Sequence, residues 1–187
     1  MLETSRTARR LAALTAAPVE AGGVTVRPLA ARGRLSLRLR AATAEALGEV
    51  AGYRLALPIN RRAGDVRVAA RLGPDEWLLA MPEADLEAVA AELEAALAGH
   101  VHALVDVSHR NVGLAVEGPR AADALNAGCP LDLHPTAFPP GTMTRTILGK
   151  AEILLARPTE APAFEVECWR SFATYVHAFL IEGARGL

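Results

Sequence analysis

Cysteine is nearly missing from this 187-residue chain, and the two residues present, Cys129 and Cys168, exclude a disulfide framework or a paired-cysteine metal knuckle. Free thiols in a reducing compartment follow, and the chain is read as cytoplasmic. No apolar run approaches the length of a membrane span, so no membrane partner is expected. Phosphate-cradling glycine loops are also missing: there is no GxGxxG and no GxxxxGK[ST], and Gly22-Gly23 precedes a strand instead of a helix. The chain is therefore expected to bind no dinucleotide itself. Net charge is −1, which excludes the basic surface that nucleic acid requires. Aromatics are 4% and lysine is reduced to Lys150 beside 19 arginines. With 39 alanines supplying much of the apolar fraction, a few large side chains must define the core.

Charge is unevenly placed. Residues 1–71 carry 13 arginines and 5 acids, whereas residues 72–187 carry 7 basic and 16 acidic residues. Oppositely charged faces of one body explain this, and complementary charge also steers assembly.

The first 30 residues read as a flexible N-terminal arm, in which Arg6, Arg9 and Arg10 before Leu11–Ala17 superficially imitate a leader. A single α+β domain, mostly antiparallel with helices on one side of the sheet, is expected over 31–187. Leu35, Leu37 and Leu39 alternate as a strand, and a helix capped by Thr43 follows, with Leu47, Val50 and Ala51 at helical spacing up to Gly52. Val66–Leu72 and Trp77–Met81 predict a hairpin about Gly73-Pro74-Asp75. Leu86, Val89, Leu93 and Leu97 form a helical stripe, and Val101, Ala103, Val105 and Val107 read as the apolar face of another strand. This βαββαβ order is a ferredoxin-like half over 33–107. The pattern restarts at Val112–Val116 and Gly118–Leu125, a partial repeat over 108–187. Pro130, Pro135, Pro139 and Pro140 bar regular structure there. A hairpin about Gly149-Lys150, a strand at Phe164–Cys168 and a helix carrying Phe172, Val176, Phe179 and Leu180 complete the second half.

Asp106, Ser108 and His109 have the composition of a hydrolase triad, but on a strand the histidine points away from the other two. His100, His102 and Asp106 could line a strand face as metal ligands, and Cys129, Asp132 and His134 could do so in the Pro-rich turn. The plainer reading makes the histidines the polar side of a half-buried strand whose opposite face is Val101, Ala103 and Val105. Phe138, Trp169, Phe172 and Tyr175 are the partner-interface candidates, because buried aromatics dominate interface energies. The alternative places these rings in the chain's own core.

The strings LGPDEWLL at 72–79, VDVSHR at 105–110, GCPLDLHPTAFPPGTMTRTILGKAEILL at 128–155 and WRSFATYVHAFL at 169–180 resemble the gamma subunits of heterotetrameric sarcosine oxidases. That family's fold is similar to part of the folate-binding aminomethyltransferase of the glycine cleavage system. The resemblance implies an accessory role in demethylating sarcosine to glycine, giving hydrogen peroxide and either formaldehyde or 5,10-methylenetetrahydrofolate. It implies alpha, beta and delta partners that carry FAD, FMN, NAD and tetrahydrofolate, with no cofactor on this chain. In the wider aminomethyltransferase family the aspartate of a DVSH-type segment acts on the folate-bound one-carbon group. Asp106 lies in the matching string and is the one catalytic candidate, expected to persist for structure. The competing expectations are a stand-alone folate-binding transferase and the equivalent subunit of a related N-methyl amino-acid dehydrogenase.

Overall fold

Thirteen strands and four α-helices follow one another along residues 12–187, the part of the chain that the computed structural model describes. They are β1 (Val19–Ala21), β2 (Val24–Pro28), β3 (Arg32–Leu39), α1 (Ala41–Leu47), β4 (Glu49–Val50), β5 (Tyr53–Arg54), β6 (Arg61–Ala63), β7 (Val68–Gly73) and β8 (Glu76–Pro82). Then come α2 (Leu86–Leu97), β9 (His102–Asp106), β10 (Asn111–Glu117), α3 (Ala121–Asn126), β11 (Thr142–Leu148), β12 (Ala151–Arg157), β13 (Ala163–Trp169) and α4 (Ala173–Arg185). Apart from the small β4–β5 ribbon, the strands join in the order β1-β2-β10-β13-β12-β11-β6-β7-β8-β3-β9.

The expected ferredoxin-like order is present as β7-β8-β3-β9, antiparallel throughout. It forms because Leu35, Leu37 and Leu39 share one face with Trp77, Leu79 and Met81, and α2 covers them with Leu86, Val89, Leu93 and Leu97. Those four helix residues are all buried; at about 1.5–3 kcal/mol for each buried aliphatic side chain they outweigh the helix's weak intrinsic stability. The second half repeats this with β12-β13-β10 under α3 and α4, around Leu114, Val116, Leu125, Phe164, Val176 and Leu180.

The position that β9 fills beside β3 is filled beside β10 by β2, from the start of the chain. Each half thus receives the strand that leads into the other half: β2 runs into β3 but pairs with β10, and β9 runs into β10 but pairs with β3. This corrects the flexible arm expected over residues 1–30. Val19–Ala21 and Val24–Pro28 are strands because β10 would otherwise present an open edge, and Val24 and Val26 are buried in the second core. Residues 1–11 of that arm lie outside the described residues. Two glycines seat the ribbon. Gly22 is left-handed at φ 55°, and a Cβ there would stand 2.1 Å from the Ala184 carbonyl oxygen; Gly118, at φ 126°, lets the Gly23 carbonyl approach nearly as closely.

A pseudo-two-fold axis passes between β6 and β11, where Thr142 lies opposite Arg61. The Arg62 amide donates to the Gly141 carbonyl at 2.8 Å and the Met143 amide to the Asn60 carbonyl at 3.0 Å, a reciprocal pair. Two arginines repeat the relation further out. Arg71 stacks on Trp77 and donates to the Leu57 carbonyl ahead of Pro58; Arg157 stacks on Phe164 and donates to the Phe138 carbonyl ahead of Pro139. The weak repeat in the sequence is therefore a structural duplication. Each half keeps its helices on its outer face, and the helix-free faces meet through Ala70, Leu78, Met143, Leu154 and Ala156.

Two side-chain expectations reverse. Phe138 is only 4% exposed and packs against Phe164, so it completes the second core and is not a docking residue. On β9 the apolar row points outward: Leu104 lies opposite Leu37 and packs partly on the first core, which turns Val101, Ala103 and Val105 to the exposed side.

Candidate functional site: a polar seam and an exposed rim

Where the two helix-free faces meet, polar residues replace aliphatic ones. Arg34 on β3 and Glu167 on β13 are 2% and 8% exposed. Arg34 Nε donates to both Glu167 carboxylate oxygens at 3.0 Å, and Asn111 Nδ2 donates to the same carboxylate at 3.1 Å. Buried charge is tolerable only when paired and hydrogen-bonded in this way. Arg62 and Glu165 form a second bridge at 3.1 Å. At the outer end Glu76 takes Arg145 and, at 3.2 Å, Arg38; the hydrogen bond from Arg145 holds its carboxyl below the ordinary range.

The segment around Asp106 ties β9 to this seam. Asp106 Oδ1 accepts the Ser108 amide at 2.8 Å and the Ser108 hydroxyl at 2.5 Å, and Ser108 Oγ accepts the Arg34 amide at 2.9 Å. This is an aspartate turn closing the strand end, the local chemistry that Asp performs best. The carboxylate bonds the hydroxyl directly and His109 stands exposed, so no triad forms. The metal readings dissolve similarly. His102 directs Nδ1 to the His100 carbonyl and Nε2 to Glu94, and His134 turns to Thr136, while Cys129 is buried. Among the described residues no three potential ligands converge on a metal position.

Two cavities flank the seam, about 250 Å³ beside Arg32, Arg34, Ser108 and Asn111, and about 260 Å³ beside Arg38, Glu76, Arg145 and Trp169. Both fall below the roughly 300–1,000 Å³ of small-molecule sites. Asp106 lines neither cavity. Desolvation pushes Cys168 up to about 11 and Tyr53 up to about 12.

Of the predicted interface residues, Trp169 is half exposed at the end of β13, beside an open groove lined by His109, Arg110 and Arg170. Phe172 and Tyr175 are each 37% exposed, and the Tyr175 hydroxyl accepts the Lys150 amide at 3.1 Å. Phe138 lies apart in the core. Sequence reasoning missed the rim of β9, where Val101 and Val105 are 81% and 54% exposed. The alternation that marks it was visible, but alternation gives two faces without saying which one is inward.

The sarcosine oxidase gamma subunit family model matches residues 37–185. The chain is 34% identical over 159 residues to sarcosine oxidase subunit gamma of Arthrobacter sp, an alignment spanning 82% of this chain and 76% of the relative. It is 33% identical over 197 aligned positions to the subunit gamma of Corynebacterium sp. (strain U-96), spanning 97% and 92%. Among solved structures, the heterotetrameric sarcosine oxidase from Corynebacterium sp. U-96 contains a chain that matches with TM-score 0.77 and 31% identity over 90% of this chain and 87% of that one. The glycine cleavage system aminomethyltransferase from Bartonella henselae matches at TM-score 0.67 and 17% identity, covering 88% of this chain and 47% of that one, a likeness of fold alone.

Proposed function

This chain belongs to the sarcosine oxidase gamma subunit family, and from that membership we propose that it is the accessory subunit of a complex that demethylates sarcosine oxidatively. The complex forms glycine, hydrogen peroxide and either formaldehyde or 5,10-methylenetetrahydrofolate, with alpha, beta and delta chains holding FAD, FMN, NAD and tetrahydrofolate. The work takes place in the cytoplasm. This chain shapes and supports its partners and carries no catalytic residue of its own.

The observation that carries this reading is the commitment of Asp106 to its turn, where both Ser108 donors occupy its Oδ1. An aspartate fixed in that manner is a strand terminator, whereas a proton-transferring carboxylate must reach its substrate within hydrogen-bond distance. Trp169, Phe172 and Tyr175 supply aromatic surface for partners. The complex purified with an Asp106→Ala subunit should turn over sarcosine within a few-fold of wild type, and Asp106→Asn should match it. A loss of about a hundred-fold or more, the scale of a general acid or base, would overturn the non-catalytic assignment.

A further inference from the structure

The duplication provides an internal reference for β9. Pairing places Leu104 opposite Leu37 in the first half, and Val26 opposite Val116 in the second. Leu37 lies opposite Trp77, and Val116 opposite Phe164, the two rings on which the equivalent arginines stack. By this register His102, Ala103 and Leu104 correspond to Val24, Thr25 and Val26. In the second half β1 covers that stretch, with Val19 opposite Val26 and Ala21 opposite Val24. In the first half no strand among the described residues lies outside β9, which ends the sheet.

The orientation of the main chain repeats as well. The Val107 amide donates to the Arg34 carbonyl, and the Leu39 amide donates the other way, to Asp75 on the β8 side. Antiparallel alternation then turns the amides and carbonyls of His102 and Leu104 away from β3. The Leu29 amide donates to the Gly113 carbonyl, which by the same alternation turns Val24 and Val26 toward β1. Burial follows occupancy: Val24 and Val26 are buried, whereas His102 and Leu104 are only half covered. Proteins blunt open edges with charge, proline or a bulge; β9 carries one exposed carboxylate, Asp106 at its end, while Val101 just before it and Val105 within it stand exposed as apolar side chains.

We propose that β9 receives an antiparallel strand from a partner subunit, at His102–Leu104, in the place that β1 takes beside β2. The incoming segment is extended and apolar on the side that meets Val101 and Val105, and its main chain supplies the ladder, a strand-addition mode of recognition. The proposal rests on the reading of this chain as a subunit of a complex. β1 shows that three residues suffice at the equivalent place.

The test is amide exchange at single-residue resolution on the full chain, alone and within the purified complex. His102 and Leu104 should exchange about a hundred-fold or more slowly in the complex than alone, since strand addition converts solvent-facing amides into ladder donors. Val101→Lys and Val105→Lys, both on exposed side chains, should weaken capture of the partner chains about ten-fold or more while leaving the melting temperature of the isolated chain unchanged. A complex that forms with equally fast exchange at both amides overturns the proposal and leaves the subunit reading standing. Protection that grows with the concentration of the isolated chain identifies a second copy as the occupant and also overturns it. Failure of the wild-type chain to co-purify with any partner removes the subunit reading, and this proposal with it.

Discussion

Replacing Arg34 by Met should destabilise the protein by about 3–5 kcal/mol, the cost of breaking a buried pair by removing one partner. The magnitude follows from what is left behind. Glu167 is 8% exposed and would retain only Asn111, so a carboxylate would sit between two sheets without its cation. The methionine also gives up Nη1 donation to the Arg32 carbonyl at 3.2 Å, although the Arg34 main-chain link to Ser108 survives. For a chain of this length the loss corresponds to a fall in melting temperature of roughly 6–20 °C. Urea unfolding of the full chain measures it, with the midpoint shifting and the slope unchanged if the halves still unfold together. The double variant Arg34→Met/Glu167→Leu should regain most of the loss, because it removes both charges and leaves only neutral groups, the Asn111 Nδ2 and the Arg32 carbonyl, without these bonds. A single-variant cost below about 1 kcal/mol would place Arg34 among ordinary surface bridges and refute the assignment of the seam as the element that locks the halves.

Phe138→Ala should cost about 3–5 kcal/mol of folding stability and leave assembly intact in the cold, whereas Trp169→Ala should leave melting nearly unchanged and weaken capture of partner chains; a Trp169 variant that melts early and assembles normally refutes the surface assignment. His177 is lowered by burial and its Nε2 is buried without a partner, so its contribution is complete above pH 6.5 and fades as pH falls through its lower folded value. His102 runs oppositely: raised first by the His100 carbonyl and then by Glu94, it contributes below pH 6.5 and fades as pH rises through its folded value. Melting curves of His177→Leu and His102→Gln between pH 5 and 8 should therefore flatten opposite ends of the wild-type profile, and identical profiles would refute both signs.

Helical stripes were the most legible feature of the sequence. Leu86, Val89, Leu93 and Leu97 are the buried residues of α2, because 3.6-residue spacing admits only one continuous apolar face. The ferredoxin-like order was legible for a related reason, since each strand and helix of that half is consecutive in the chain. Strand phase was not. Val101, Ala103 and Val105 alternate as cleanly as Leu35, Leu37 and Leu39, yet the first row faces out, and only pairing with Leu37 decides it. Residues 19–28 escaped for a topological reason: their partner, β10, lies far along the chain, and no local pattern announces a ladder across that distance. Among site residues, Trp169 is half exposed and Phe138 is buried, a difference the sequence left open because composition marks an aromatic as valuable without saying to which body it belongs.

The two halves agree in backbone and differ in what they place at the axis, and that difference explains why one chain needs both. Reciprocal amides from Arg62 and Met143 cross between β6 and β11. From Arg62 the side chain reaches Glu165 as a bridge, whereas Met143 sits with Leu78 in the apolar cluster between the sheets. A symmetric pair of ion pairs would bury two charges on each side and incur desolvation twice; a symmetric pair of apolar contacts would let the sheets slide, since dispersion is non-directional. One of each gives a contact that is apolar enough to form and polar enough to fix register. Arg34–Glu167 acts in the same way on one side only, and it places β9 through Ser108 and Asp106. The aspartate turn is thus joined to the seam, and the seam holds the open edge of β9 at a fixed angle to the second half, a prerequisite for any strand that adds there.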